Sequence, residues 1–314
     1  MAARLVTVFG GSGFLGRYVV AELAKRGYLV RVAVRRPEAA LFLKPAGDVG
    51  QITPVAANLR NARSVEAAVA GAWGVINLVG LLYERGRQRY AAIHVEGARR
   101  AAAAAKAAGA ERFIQVSAIG ADPNAPAAYA RTKAAGEAAV LDAFPDATII
   151  RPSILFGPED DFFNRFAAMA RFLPALPLIG GGHTRFQPVY VADVAAAIAS
   201  AIENPATRAR TYELGGPRIL TFKQLIELLL KEIDRRRLLL PLPFALARLE
   251  AAFLELLPVP PLTRDQVRLL ERDNVVTHGA LTLADLGVTA TALELILPTY
   301  LARFRPGGRH ARPA

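Results

Sequence analysis

The chain has 314 residues, of which 53% are hydrophobic and 21% are charged, so it can bury a large core as one domain or two. It contains no cysteine, which excludes disulfides, thiolate nucleophiles and thiolate metal ligands; its four histidines show no ligand spacing, so no metal site is expected. The formal net charge of +12 favours anionic partners.

The basic charge has two explanations that the sequence leaves open. A coding bias towards arginine and alanine would produce it without any function, whereas phosphates, acidic protein surfaces or anionic lipid headgroups would make use of it. Nucleic acid is not an expected partner, because no helix-turn-helix, zinc finger or aromatic platform accompanies the charge. No targeting segment is recognised before the first strand, so we expect a bacterial-type chain that begins in the cytoplasm.

The first element is an apolar run, Leu5–Phe9, followed by a glycine-rich loop at residues 10–16 and then by a helical pattern. This order predicts a strand, a phosphate-binding loop and a helix. Gly10 would permit the turn off the strand, Gly13 would let the backbone approach a pyrophosphate, and Gly16 would let helix and strand pack closely. The spacing is G-x-x-G-x-x-G, and a glycine-rich turn without a ligand is the alternative.

A second strand is predicted at Leu29–Val34, and Arg35 and Arg36 follow it directly. At this position a carboxylate would bond the ribose 2′-hydroxyl of NAD, whereas an arginine accommodates a 2′-phosphate. The pair therefore indicates NADPH (NADP) as the cofactor, with NAD less favoured. A solvated pair that begins the next helix is the alternative.

Strands and helices continue to alternate up to residue 151. This alternation predicts an α/β fold with a Rossmann-type doubly wound parallel sheet. Further strands are expected at residues 51–56, 74–80, 112–117 and 147–151. A helix is expected to end at residue 69, and two more are expected at residues 91–108 and 126–144.

After residue 151 the pattern is looser and is punctuated by proline and glycine. We predict an NAD(P)-binding Rossmann domain at residues 1–151 and a smaller, mainly helical C-terminal lobe at 152–314, with residues 185–215 returning to the sheet. Helices of this lobe are expected near residues 161–172, 192–203, 221–234, 243–257, 263–272 and 292–304.

Tyr129 and Lys133 are four residues apart on the helix after the fifth strand, and therefore share one face. A lysine ammonium beside a phenol stabilises the phenolate, and it can also bond a ribose hydroxyl. Ser117 ends the fifth strand, at the edge where open α/β sheets place their ligands, so its hydroxyl could hold a carbonyl oxygen.

With these residues in place, the sequence resembles the extended and atypical short-chain dehydrogenase/reductases. The resemblance is carried by the glycine loop, by the serine, tyrosine and lysine just described, and by residues 151–153 and 188–194. It implies that the tyrosine donates a proton, the lysine fixes the nicotinamide ribose and the serine orients the substrate. The chain departs from the family at Asn58, where Asp is frequent, and at His94, where Asn is frequent.

A closer resemblance covers nearly the whole chain and is to the NADPH-binding accessory subunits of respiratory complex I (NADH:ubiquinone oxidoreductase). It implies a tightly held NADPH, docking on complex I core subunits where the peripheral arm meets the membrane arm near the quinone site, and a structural role for the cofactor. The stretches that carry it are residues 129–137, 142–145, 151–160, 187–191, 262–267 and 283–288.

The expected site combines the loop glycines, the arginine pair and the ends of the later strands. Ser117, Tyr129 and Lys133 are its candidate catalytic residues, and they would be vestigial in an accessory subunit. The expected cofactor-binding residues are Gly10, Ser12, Gly13, Phe14, Leu15, Gly16, Arg35, Arg36, Asn58, Leu59, Val79, Gly80, Val116, Ser117, Tyr129, Lys133, Pro152, Ser153 and Ile154.

Residues 235–262 combine Arg235, Arg236 and Arg237 with a long apolar stretch, and prolines and charges prevent that stretch from spanning a membrane. A basic edge beside an apolar face is typical of an interfacial helix or a subunit groove, so contact with a membrane surface or anionic lipid is expected. An ordinary lobe helix with solvated arginines is the alternative.

Two functions follow from the resemblance. The first is an accessory subunit that stabilises complex I and lies peripherally on the cytoplasmic side of the inner (plasma) membrane. The alternative is a free NAD(P)H-dependent reductase or epimerase, which the serine, tyrosine and lysine would serve.

Overall fold

Short apolar strands alternate with helices through residues 3–308, which the computed structural model describes. The strands are β1 (Leu5–Phe9), β2 (Leu29–Val34), β3 (Ile52–Ala56), β4 (Gly74–Asn77), β5 (Arg112–Val116), β6 (Thr148–Pro152), β7 (Leu155–Phe156), β8 (Ala175–Ile179), β9 (Arg185–Phe186), β10 (Val189–Tyr190), β11 (Thr211–Leu214), β12 (Leu220–Thr221) and β13 (Leu238–Leu242). The α-helices are α1 (Phe14–Lys25), α2 (Ala62–Val69), α3 (Glu96–Ala107), α4 (Ala128–Ala143), α5 (Phe162–Phe172), α6 (Val191–Glu203), α7 (Phe222–Glu232), α8 (Phe244–Leu254), α9 (Arg264–Leu269) and α10 (Leu293–Leu301).

Seven strands form one parallel sheet in the order β11-β6-β5-β4-β1-β2-β3. The order reverses between β1 and β4, which is the switch point where open α/β sheets bind ligands beyond the carboxyl ends of their strands. Val6, Thr7 and Val8 of β1 are all fully buried, so both faces of this strand are covered, as expected in a parallel sheet with helices on both sides. The predicted Rossmann-type doubly wound sheet is confirmed.

The chain divides into two units. The first contains Met1–Pro152, described here from residue 3, Val191–Leu214 and Thr277–Thr289. The second contains Ser153–Tyr190, Gly215–Val276 and Ala290–Ala314, described here through residue 308. Within residues 185–215, β11 lies in the seven-stranded sheet beside β6, whereas β9 and β10 pair with β12 and β7 outside it. The division into domains at residue 151 stays a prediction.

A buried arginine joins β5 to α6 inside the first unit. The Arg112 guanidinium donates to the carbonyl oxygens of Ala201 at 2.6 Å, Asn204 at 2.9 Å and Ile202 at 3.1 Å. These carbonyls end α6, where helices leave main-chain acceptors unpaired. The cation therefore satisfies the end of a helix that is remote in sequence, a role that the sequence analysis did not identify.

Residues 235–262 are not one helical segment. Leu238–Leu242 form β13, which pairs in parallel with β8, and α8 begins only at Phe244. Pro241 and Pro243 keep residues 238–243 out of a helix, because proline removes a donor and clashes inside one. A helix was expected near residues 243–257, but β13 was not predicted. Of residues 3–308, none lies in a helix long and apolar enough to cross a membrane.

A buried tyrosine and carboxylate connect α10 to α5 in the second unit. Asp160 accepts the Tyr300 hydroxyl at 2.5 Å and the Phe163 N–H at 2.7 Å. Burial raises the pKa of Asp160, so its ionised form depends on these donors. The pair therefore fixes α10 in its position.

We expect Tyr300→Phe to lower the free energy of unfolding by about 1.5–3 kcal/mol, because a buried carboxylate loses a hydrogen bond. Urea unfolding measures the change. Tyr83→Phe, at a half-buried tyrosine, is the matched control and should change stability by less than about 0.5 kcal/mol. Equal stabilities of the two variants would contradict the role assigned to Tyr300.

Candidate cofactor site

Close main-chain contacts shape the glycine loop between β1 and α1. Gly10 has φ +78°, in the left-handed region that favours glycine. The Gly13 N–H donates to the Gly10 carbonyl oxygen at 3.0 Å, and a Cβ atom at Gly16 would lie only 2.3 Å from the same oxygen. No side chain of the described residues caps α1 at Gly13, so its first N–H groups are left for an anion.

The loop also depends on Gly11, which the sequence analysis missed. A Cβ atom there would lie 2.9 Å from Val32 Cγ1 and 3.0 Å from Val20 Cγ2, inside the core. The doubled glycine after β1 was the available signal. The remaining loop residues expected in the site are Ser12 and Phe14, which are half-buried, and Leu15, which is buried.

Arg35 and Arg36 are exposed at the carboxyl end of β2, next to β1 in the sheet. A short 3₁₀ segment, Pro37–Ala46, follows them and was not predicted. Its Phe42 ring lies under the guanidinium of Arg17, 5.2 Å from Arg17 Cζ to the ring centre. Arg17 is thus a third guanidinium beside the glycine loop, and its position directly after Gly16 was the signal for it.

Asn58 and Leu59 follow β3, and their polar groups serve the local turn. Asn58 Oδ1 accepts the Arg60 N–H at 3.1 Å, and the Asn58 N–H donates to Ser64 Oγ at 3.0 Å. Leu59 is buried. These bonds fix the start of α2, and contact of either residue with a cofactor stays a prediction.

The turn after β4 lies between the glycine loop and α4. A Cβ atom at Gly10 would be 3.1 Å from Val79 Cγ2, and one at Gly80 would be 3.4 Å from Lys133 Nζ. Asn77 Oδ1 accepts the Val79 N–H at 3.2 Å, which fixes the start of the turn. Val79 and Gly80 therefore border both halves of the predicted site.

The candidate catalytic residues meet at the end of β5. Lys133 Nζ donates to the Val116 carbonyl oxygen at 3.2 Å and lies 5.9 Å from the centre of the Tyr129 ring. Ser117, the next residue, is 5% exposed, and its Oγ has no hydrogen-bond partner within residues 3–308. A buried hydroxyl without a partner is costly, so a bound ligand would supply the missing bond.

Burial shifts the pKa of both ionisable groups on this face of α4. It raises the pKa of Tyr129 to about 12 and lowers the pKa of Lys133 to about 8, since each neutral form is favoured away from water. Glu137, one turn further along α4, partly opposes the shift of Lys133. Its carboxylate, however, is held by Arg151 at 2.6 Å.

His94 lies in an aromatic cluster on the same face. Its ring stacks on Tyr90, with 5.1 Å between ring centres, and meets Tyr129 edge to face at 5.4 Å. From the sequence, His94 is recognised only as a departure from the family. Its contact with Tyr129 makes it part of the site.

Pro152, Ser153 and Ile154 span the boundary between the two units. The Pro152 carbonyl oxygen accepts the Ile119 N–H at 3.1 Å in the first unit. In the second unit, Ser153 Oγ donates to Asn274 Oδ1 at 2.6 Å, and the Ile154 N–H donates to the same oxygen at 3.1 Å. The polar groups of these residues thus have protein partners, and their contact with a cofactor stays a prediction.

The arrangement of the first unit fits a dinucleotide. The glycine loop forms a cradle without side chains at a helix N-terminus, and the unpartnered Ser117 hydroxyl lies two strands away in the sheet, at the end of β5. Lys133 is bonded to the carbonyl oxygen of Val116, the residue before Ser117, and Arg35 lies at the end of β2. Anion-binding groups therefore border the switch point on both sides.

The chain is similar to known proteins in sequence and in fold. The profile of the NAD dependent epimerase/dehydratase family matches residues 6–215. The chain is 40% identical to NADH dehydrogenase (ubiquinone) 1 alpha subcomplex subunit 9, mitochondrial, of Arabidopsis thaliana, over 97% of this chain and 79% of that protein. The protein of the same name in Rattus norvegicus is 38% identical, over 96% and 80%. An NADPH-dependent quinone oxidoreductase structure from Escherichia coli has a TM-score of 0.70 at 23% identity, covering 94% of this chain and 98% of that chain.

The chain therefore belongs to the NAD dependent epimerase/dehydratase family, and it is homologous to the alpha subcomplex subunit 9 proteins. Both resemblances expected from the sequence are confirmed. The quinone oxidoreductase shares the fold. The two subunit 9 relatives are mitochondrial proteins, so they do not support the expected bacterial type.

The lowered pKa of Lys133 predicts a pH dependence of stability in the cofactor-free protein. Between a pKa of about 8 when folded and the ordinary value of about 10.4, the unfolded chain holds a proton that the folded chain has released. Raising the pH from 8 to 9.5 should therefore favour the folded state. Urea unfolding at both pH values should show a smaller rise for Lys133→Met than for the wild type; equal rises would contradict the shift.

Proposed function

We propose that this chain is an NADPH-binding, reductase-like accessory subunit that stabilises respiratory complex I, with the dinucleotide acting as a structural part. The observation that carries this proposal is the extent of the match to the subunit 9 proteins. The family profile ends at residue 215, whereas the Arabidopsis thaliana relative matches 97% of the chain and so includes most of the second unit. The Escherichia coli quinone oxidoreductase covers 94% of the chain at only 23% identity, so it supports the fold, whereas the 40% identity of the Arabidopsis thaliana relative supports the role.

The end of β2 supports a preference for NADPH over NAD. Arg35 and Arg36 are exposed there, and two guanidiniums at this position suit a 2′-phosphate. The N–H groups at the start of α1 would hold the pyrophosphate. Lys133 would bond the ribose of the nicotinamide half, and Ser117 would lie near the nicotinamide. In a catalytic relative the nicotinamide supplies a hydride.

Tyr129 supports a holding role rather than turnover. A general acid is most effective when its pKa lies near the working pH, but burial raises the pKa of Tyr129 to about 12. Lys133 donates to a main-chain oxygen and does not bring this value down. The phenol therefore remains protonated and is suited to donating a fixed hydrogen bond.

The second unit offers a surface for the assembly. Leu246, Leu249 and Phe253 share one face of α8 by their spacing and are exposed, Phe253 to 66%. Of the basic cluster before β13, Arg235 donates to the Phe304 carbonyl oxygen at 3.0 Å and Arg237 to the Ala170 carbonyl oxygen at 2.8 Å. The apolar face, more than the charge, is thus what this region presents.

We assign this apolar face to the membrane surface, including anionic lipid, at the junction of the peripheral and membrane arms near the quinone site. The proposal places the chain peripherally, on the face of the respiratory membrane that carries the peripheral arm, in contact with complex I core subunits. An exposed apolar face with the exposed Arg236 and Arg248 beside it fits an interfacial position on anionic lipid.

A free NAD(P)H-dependent reductase or epimerase is the second candidate. The observation that favours it is the convergence of Tyr129, Lys133 and the unpartnered Ser117 hydroxyl. In that case, purified protein should turn over a ketone, quinone or nucleotide sugar, and Tyr129→Phe should abolish the rate. No hydride transfer across such substrates would exclude this function.

Affinity purification from membranes tests the assembly. The chain should recover complex I core subunits, and the double variant Leu249→Asp, Phe253→Asp should recover far less, because charges on the apolar face oppose its burial. Leu295→Asp, at an exposed leucine of α10, is the matched control and should behave as the wild type. A soluble wild-type protein without core subunits would overturn the proposal.

The arginine pair provides a test of cofactor choice. Replacing Arg35 and Arg36 with Ala should weaken NADPH binding by at least about tenfold and NADH binding by much less, because charge-assisted bonds to the 2′-phosphate are lost. Arg208→Ala with Arg210→Ala is the control, since these exposed arginines precede β11 at the opposite end of the strands. Equal losses for both cofactors would show that the 2′-phosphate is read elsewhere.

A further inference from the structure

We propose that His94 is a positioning residue: a neutral imidazole strut that holds the turn after β4 against α4 and so sets how slowly the site releases its dinucleotide. The effect on release rests on the proposed function. The strut itself rests on contacts inside the first unit.

The turn at residues 78–81 is held by acceptors from three different elements. The Leu78 N–H donates to the Phe9 carbonyl oxygen of β1 at 3.0 Å, and the Val79 N–H donates to Asn77 Oδ1 of β4 at 3.2 Å. The Leu81 N–H donates to His94 Nε2 at 2.9 Å. The last bond secures the end of the turn that borders Lys133.

The hydrogen bonds of His94 determine its tautomer. Because Nε2 accepts from Leu81, a neutral ring carries its proton on Nδ1. Nδ1 lies 3.0 Å from Thr132 Oγ1, and that hydroxyl lies 2.8 Å from the Ala128 carbonyl oxygen, to which it donates. The ring therefore donates to Thr132 and connects the turn after β4 to the first turns of α4.

Local backbone geometry brings the imidazole to this position. His94 lies in a π-helical turn, Ala91–Val95, directly before α3, and such turns are frequent at functional sites. Its main chain is pressed against α4, because a Cβ atom at Gly136 would lie 2.0 Å from the His94 carbonyl oxygen. Thr132 and Gly136 are four residues apart, so one face of α4 receives both the side chain and the main chain of His94.

The surroundings of the ring keep it uncharged. The ionisable groups that face it are Lys133, Tyr129 and Tyr90. Burial, and then the charge of Lys133, lower the pKa of His94 to about 3. Protonation of Nε2 would also break the bond from Leu81, so the ring serves as a fixed acceptor and not as a proton carrier.

Two substitutions separate the strut from a general packing role. His94→Gln places an acceptor about as far from the main chain as Nε2, whereas His94→Asn reaches only as far as Nδ1. We expect the Asn variant to release NADPH about 3- to 10-fold faster than the wild type, the worth of one hydrogen bond, and the Gln variant to stay within about 2-fold. His183→Asn, at an exposed histidine of the second unit, is the control.

The same variants are compared by NMR without cofactor. In the wild type, we expect the Nδ1–H tautomer of His94 to persist below pH 5. The Leu81 amide should be protected from exchange in the wild type and in the Gln variant, but not in the Asn variant. If the Leu81 amide of the Asn variant were protected from exchange as well as that of the wild type, the role proposed for His94 would be wrong. If the wild type fails to bind NADPH, the proposed function fails, while Leu81 protection still decides the strut.

Discussion

The approach of α1 to β1 depends on the absence of one methyl group. A Cβ atom at Gly16 would lie 2.3 Å from the Gly10 carbonyl oxygen, so any other residue would push the helix away from the strand. The helix N-terminus and the end of β1 meet only because this position is a glycine. Since β4 pairs with β1, and β5 pairs with β4, Val79 and Ser117 follow the ends of neighbouring strands and lie at the same edge of the sheet as that contact.

The sequence allowed the strand ends to be predicted because buried parallel strands are short apolar runs, and the residue after each run lies at the ligand edge. Arg35 and Ser117 were found in this way. Gly136 and His94 could not be assigned, since the need for each depends on a neighbour about forty residues away: a Cβ atom at Gly136 would lie 2.0 Å from the His94 carbonyl oxygen. Local patterns carry no information about such pairs.

The net charge was a poor guide to the surface, for a physical reason. Arginine has five donors and a long stem, so it can satisfy carbonyl oxygens that end helices and loops. Arg112 does so inside the first unit, and Arg235 and Arg237 do so in the second. Part of the basic charge is therefore structural: of the basic edge expected beside the apolar face after residue 235, two arginines are held by carbonyl oxygens and Arg236 is exposed.

Holding a dinucleotide and reducing a substrate place different demands on the same residues. Turnover needs an acid whose pKa lies near the working pH and a cofactor that leaves after each cycle. Here burial raises the pKa of Tyr129 to about 12, and both nitrogens of His94 are engaged by Leu81 and Thr132. Each of these features favours a rigid site with fixed hydrogen bonds. Rigidity slows release, which benefits a cofactor that stabilises an assembly and hinders one that must exchange.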